Sequence, residues 1–177
     1  MCVDLGCGRG TDVLTLAARV GASGQVWGLD ATPAMLEVGR ARALELGLTN
    51  TNFIESDLEA LALSDGCADW VVSNCALNHA SDKLRVWREI ARVLKPGGRF
   101  IVSDIYAVEP IAPRYRDDPV AVAECWAGAV TRAEYLEQIA AAGLGELTIS
   151  GERDPYQKAQ ALLASFTVSG LKPFPAP

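Results

Sequence analysis

Long apolar runs are absent from this chain: none approaches the roughly 18 residues that a membrane-spanning helix needs, and the first residues show no signal-peptide layout. Positive charge is scarce. Sixteen Lys and Arg face 22 Asp and Glu, and the net charge of −6 leaves no basic footprint for nucleic acid. Histidine occurs once, as His79. The five cysteines (Cys2, Cys7, Cys67, Cys75 and Cys125) are an odd number without CxxC spacing, which speaks against a zinc knuckle or a secreted disulfide framework. No internal repeat or low-complexity tract interrupts the 177 residues, half of which are hydrophobic, enough for one domain with a sizeable core. These absences point to a cytoplasmic domain with reduced thiols that acts on a small molecule, with neither nucleic acid nor membrane as partner.

What is present begins at once. Cys2-Val3-Asp4-Leu5 reads as a short buried strand, Gly6-Cys7-Gly8-Arg9-Gly10 as a tight glycine turn, and Thr11 to Val20 as a helix. In that arrangement, backbone N–H groups and a helix N-terminus face a nucleotide-type cofactor. Glycines fall at 6, 8 and 10, and Thr11 stands where a dinucleotide-binding GxGxxG would place its third glycine, which argues against NAD or FAD.

Strands and helices alternate downstream, the pattern of a doubly wound α/β sheet. Gln25 to Asp30, Asn52 to Glu55, Ala68 to Asn74 and Arg99 to Ile105 read as strands, with Leu147 to Ser150 and Ala161 to Val168 as the last two. Thr32-Pro33 starts a helix with Thr as N-cap and Pro in its first turn. Ser81-Asp82 opens another, with an apolar stripe at Leu84, Trp87, Ile90, Ala91 and Leu94 and an outer pair Arg85/Glu89. Tyr106 to Val130 is irregular and holds three prolines, followed by a helix from Thr131 to Ala142. One domain is expected over 1–170, with a frayed tail over 171–177.

Asp4, Gly6, Gly8 and Gly10 resemble motif I of the class I S-adenosylmethionine (SAM) methyltransferases, an acidic residue followed by x-G-x-G-x-G. The resemblance implies a Rossmann-like, doubly wound and mostly parallel seven-stranded sheet. It also implies SAM as cofactor. Asp30 and Ala31 would then lie at the ribose, Asp57 and Leu58 at the adenine, Asn74 at the methionine portion, and Cys7 within the loop. Missing glycine side chains would let the backbone approach the cofactor closely.

A narrower resemblance rests on Ser73-Asn74-Cys75-Ala76-Leu77-Asn78, Asp82-Lys83, Arg92 to Gly98, Ser103-Asp104, Ala123-Glu124-Cys125-Trp126-Ala127-Gly128-Ala129, and the helix around Tyr135. Together these are similar to the arsenite methyltransferases. Trivalent arsenic is thiophilic, so thiolates are its natural ligands. The resemblance makes Cys75 and Cys125 the catalytic pair that holds As(III) as substrate, leaving its lone pair to take the methyl group. Free cysteines are ordinarily small buried hydrophobes, which is the reading kept for Cys7, while Cys67 reads as an exposed turn residue. His79 falls where the resembled family has an apolar residue and reads as loop packing. Glu124 and Asp104 read as pocket-lining residues or, the commoner case, as solvated loop carboxylates.

In those families motif I follows a helical N-terminal segment that covers the cofactor and carries a further cysteine. The expectation is therefore a chain lacking those N-terminal helices, open on that face, and forming a homodimer through it. A two-thiol site suits an already methylated trivalent arsenical. Two alternatives stay open: a SAM methyltransferase for another small organic acceptor, and a SAM- or arsenical-binding protein without turnover.

Overall fold

The computed structural model describes residues 1–175. Its parallel strands are β1 (Cys2–Leu5), β2 (Val26–Asp30), β3 (Thr51–Glu55), β4 (Ala68–Asn74) and β5 (Leu94–Ala107). They are followed by β6 (Gly145–Ser150), β7 (Tyr156–Lys158) and β8 (Ala161–Leu171). The sheet order is β3-β2-β1-β4-β5-β8-β6, with β7 paired to β8. β8 runs antiparallel to β5, β6 and β7. This is the Rossmann-like class I methyltransferase sheet, with β7 as a short addition to the seven strands expected.

β1 sits at the centre because Cys2 to Leu5 are buried throughout. The chain leaves it outward to β2 and β3 and then returns to β4 on its other side. Strand order therefore reverses beside β1, which opens a crevice at the carboxyl ends of β1 and β4.

Helices α1 (Thr11–Val20) and α2 (Pro33–Glu45) pack around Val13, Ala17, Leu36 and Ala43 with Val26 and Phe53 of the sheet. Helices α3 (Lys83–Val93) and α5 (Arg132–Ala141) cover the opposite face over β4, β5 and β8. Between them lies the five-residue α4 (Pro119–Ala123). Asp82 caps α3 by accepting the Arg85 N–H at 3.0 Å, and Thr131 and Glu134 form a reciprocal capping box on α5. No helix among the described residues is long and apolar enough to cross a membrane.

The face that α3 buries differs from the expected stripe. Val86, Trp87, Ile90 and Val93 are fully buried, while Leu84 and Ala91 are half-buried, because Trp87 points to the centre of the α3–α5 contact. Its ring meets Phe100 and Tyr135 edge-to-face at 5.3 and 5.7 Å. We expect Trp87→Ala to cost about 3–5 kcal/mol in urea unfolding. Trp87→Phe should cost much less, since the indole N–H is buried without an acceptor.

The expected Arg85/Glu89 pair is replaced by another. Glu89 takes two hydrogen bonds of 2.7 Å from Arg92 and one of 2.7 Å from the Leu61 N–H. Arg92 also donates to the carbonyls of Leu61 and Leu63, so the pair clamps the loop below α3 rather than facing water. Cys67, expected exposed, is half-buried against the main core.

At the C-terminal end, Lys172 exchanges backbone hydrogen bonds with Gly97 and Gly98 at 2.8 and 2.9 Å. The Phe174 ring lies against Gly97. Residues 176 and 177 of the tail expected over 171–177 lie outside the described residues.

Candidate functional site

The glycine loop is pinned by backbone bonds at the reversal point. The N–H groups of Gly6 and Cys7 both donate to the Leu29 carbonyl, at 2.8 and 3.0 Å. Asp30, at the end of β2, accepts the Gly8 N–H with one carboxylate oxygen and the Thr32 N–H with the other, each at 2.9 Å. Gly6, Gly8 and Gly10 all have left-handed backbone, with φ of 67°, 52° and 80°. Packing separates their roles. A Cβ on Gly6 would stand 2.2 Å from the Ala76 Cβ, and one on Gly10 would meet the Phe53 ring at 2.8 Å. A Cβ on Gly8 would meet nothing within 4 Å, so Gly8 borders open space.

Asp4 lies buried in β1 next to this loop, and burial, with Asp12 and Asp30 adding, pushes its carboxyl up to about 8. Burial likewise pushes the Cys7 thiol up to about 12, and Cys7 packs with Val13 and Val26 in the α1 core. Ala31 and Asp57 are exposed beyond the ends of β2 and β3, Leu58 is half-buried, and Asn74 is exposed at the end of β4.

Cys75 follows Asn74 directly and Cys125 lies two residues beyond α4. Both are half-buried, and both hold left-handed backbone, with φ of 57° and 59°. That conformation is rare for a side chain larger than glycine and collects where function demands a particular aim. The Cys75 N–H is held by the Ser103 carbonyl at 2.8 Å, and the Cys125 N–H by the Val122 carbonyl at 3.0 Å. Burial first, then the neighbouring Cys125 thiol and Asp104, push the Cys75 thiol up to about 12.

A polar cluster fixes the Cys125 segment against β5. Asn78, in a 3-10 turn over Leu77–His79, reaches Asp104 at 2.9 Å and the carbonyls of Ile105 and Cys125 at 2.8 and 3.0 Å with its amide nitrogen. Asp104 also accepts the Ile105 N–H at 2.8 Å and the Tyr135 hydroxyl at 3.2 Å. Lys83, almost fully buried, donates to the Gly128 carbonyl. The segment is thus tied from both sides of Trp126, itself buried against Tyr115 and Leu163. Glu124 points away from this cluster to Lys158 and the Trp126 indole N–H, at 2.9 and 3.0 Å.

Two cavities open here. One of about 400 Å³ is lined by Asn74, Cys75, Ser103, Arg153 and Thr167 among others. The other, about 580 Å³, is lined by Asn78, His79, Lys83, Arg116 and Val130 among others. Cys75 and Cys125, expected from sequence to share one site, are neighbours in the fold although they lie 50 residues apart in the chain. His79, expected only to pack in its loop, has its Nε2 3.2 Å from Cys125 Sγ. The signal available was its position four residues after Cys75 and one after Asn78.

The buried acids give the fold a pH signature. Burial pushes Asp104 up to about 7, against the pull of the Ile105 N–H, Lys83 and Tyr135. Asp4 and Asp104 therefore keep their protons in the folded state at pH values where the unfolded chain has lost them. Folding binds protons, so these two groups make stability fall as pH rises from about 4 to about 8. Lys83, pushed down to about 8 by burial, adds the opposite slope only above that pH. We expect the thermal midpoint to drop between pH 5 and 7.5 and Asp104→Asn to flatten that drop in a calorimetric scan.

A family model described as a methyltransferase domain matches residues 1–143. The arsenite methyltransferase of Aquipseudomonas alcaligenes is 44% identical over 135 residues, which is 72% of this chain and 39% of that protein. The arsenite methyltransferase of Halobacterium salinarum is 34% identical over 148 residues, 84% of this chain and 38% of that protein. The chain spans well under half the length of these curated relatives. Among solved structures, CrArsM, an arsenic(III) S-adenosylmethionine methyltransferase from Chlamydomonas reinhardtii, is 33% identical with a TM-score of 0.79, covering 97% of this chain and 63% of that one. YcgJ of Bacillus subtilis shares the fold at 22% identity and a TM-score of 0.82, covering 98% and 92%. With its glycine loop at the sheet's reversal point and a match running through most of its length, the chain belongs to the methyltransferase-domain family.

Proposed function

We propose that this chain is the core of a SAM-dependent methyltransferase whose acceptor is trivalent arsenic held by Cys75 and Cys125. The observation that carries the reading is the convergence of two half-buried cysteines, each in left-handed backbone, with Ala76, the residue after Cys75, packed against Gly6 of the glycine loop. The likeness to arsenite methyltransferases of several organisms supports the same reading.

The loop residues fit SAM. Gly8 presents backbone with nothing where a side chain would be, and each Asp30 oxygen, with one N–H accepted, keeps lone-pair capacity for a ribose hydroxyl. Asp57 and Leu58 would border the adenine, and Asn74 the methionine portion. SAM, when bound, supplies an electrophilic methyl carbon on a sulfonium sulfur.

The chain's own contribution is to hold the acceptor. Soft thiolates bind As(III) strongly while leaving its lone pair exposed. No proton has to leave the acceptor at transfer, so positioning is the main source of rate. Two protein sulfurs plus one methyl complete the three bonds of As(III), which favours methylarsonous acid over arsenite. The test is incubation with isotope-labelled SAM and a panel of arsenite, methylarsonous acid and small organic acceptors, followed by mass spectrometry. Label in dimethylated arsenic is the expected product. Label in an organic acceptor, with the arsenicals untouched, would replace this reading.

A further inference from the structure

We propose that His79 is the proton acceptor that loads the arsenical, taking the Cys125 thiol proton as the Cys125–arsenic bond forms. The inference rests on the thiol-pair reading and adds a residue and an order of events to it. The geometry is direct: His79 Nε2 lies 3.2 Å from Cys125 Sγ. It is also built rather than incidental. The Asn78 amide holds the Cys125 carbonyl at 3.0 Å, and the His79 N–H closes the same 3-10 turn on the Ala76 carbonyl at 3.0 Å. One short turn therefore carries the imidazole and, through its neighbouring residue, holds the backbone of the cysteine it addresses. His79 is exposed, so a base supplied in the buffer can reach the same place.

The chain's one imidazole hydrogen-bonds Cys125. Thiolate is the attacking species in such exchanges, so the cysteine that stands beside the base, Cys125, engages first and Cys75 second. In the first step the Cys125 S–H bond breaks, its proton passes to His79 Nε2, and sulfur bonds to arsenic. An As–OH bond breaks, and the departing hydroxide recovers the proton from His79 and leaves as water. In the second step Cys75 displaces the remaining hydroxyl, its proton leaving in a second water. Arsenic stays trivalent throughout, no electrons are exchanged, and His79 ends neutral.

The test is stopped-flow association of methylarsonous acid with the full chain, free of added thiol, read by the change in tryptophan fluorescence, one of the four tryptophans, Trp126, being buried next to Cys125. Wild type is compared with His79→Leu and His79→Gln, both tolerable at an exposed position. We expect an unchanged stoichiometry and an association rate slowed about a hundredfold in both, the lower end of what a positioned proton acceptor contributes. Glutamine can keep a hydrogen bond to sulfur but cannot take the proton. Free imidazole in the buffer should restore most of the His79→Leu rate. Association at the wild-type rate in either variant overturns the proposal. A wild-type chain that takes up no arsenical at all instead overturns the thiol-pair reading, and this proposal with it.

Discussion

Cys75→Ser and Cys125→Ser should each abolish stable capture of methylarsonous acid, with arsenic retained after gel filtration falling on the order of a thousandfold. The size follows from two-point attachment. Once one thiolate is bound to arsenic, the second bond forms within the same molecule, and linked contacts of this kind are worth about 10²–10⁴ over a single one. Serine removes one contact, because a hydroxyl is a hard and weakly acidic ligand that does not replace sulfur on a soft centre. It nearly preserves the shape of cysteine, and both backbones stay held by the carbonyls of Ser103 and Val122. The unfolding free energy should therefore move by only about 1 kcal/mol. Arsenic content by elemental mass spectrometry, paired with urea unfolding, separates loss of ligand from loss of fold. A serine variant that retains arsenic as wild type does would remove its residue from the site.

Gly6→Ala should have the second largest effect. The new methyl group would stand 2.2 Å from the Ala76 Cβ, on a backbone with φ of 67°. Overpacking costs about 1–3 kcal/mol and the left-handed backbone about 1–2 more. Ala76 directly follows Cys75, so relief of the clash would shift the thiol as well as the loop. SAM affinity in a calorimetric titration should be lost together with stability. Gly8→Ala meets nothing within 4 Å, so it carries only the backbone penalty while placing a methyl group on the open side where the cofactor would lie. It should therefore weaken SAM binding at a much smaller cost to the fold. Adding Ala76→Gly to Gly6→Ala removes the struck atom and should restore part of the stability. If Gly6→Ala binds SAM normally, the loop is not where the cofactor sits.

The first half of the fold was legible because its signals are local. A four-residue buried run and a Thr-Pro helix start each act over a few residues, and β1, α1 and β4 fall at the positions expected from sequence, whereas β5 begins at Leu94 and runs through Gly97 and Gly98. β7 left no trace, since Tyr156, Gln157 and Lys158 are all exposed and show no alternation. α4 was hidden in a stretch punctuated by Pro110, Pro113 and Pro119. The α3 stripe shifted because its centre is set by Phe100 and Tyr135, residues of other elements that helical periodicity cannot see.

The site divides in the same way. The glycine loop and the cysteines could be named from motifs, but the geometry around them depends on long-range contacts. Nothing local says that Asn78 reaches the carbonyl of Cys125, or that Glu89 turns inward to Leu61 and Arg92 rather than to Arg85. Left-handed backbone at Cys75 and Cys125 is equally invisible, because the sequence signal for that conformation is glycine. His79 was missed for a related reason: its contact lies 46 residues away along the chain.

The central claim is that Cys75 and Cys125 together hold the arsenic that is methylated. X-ray absorption at the arsenic edge, on the chain loaded with one equivalent of methylarsonous acid, tests it most directly. The account predicts a first shell of two sulfurs and one carbon in wild type, and loss of the two-sulfur shell in either serine variant. A wild-type spectrum with one sulfur or none, or an unchanged two-sulfur shell in Cys125→Ser, would contradict it.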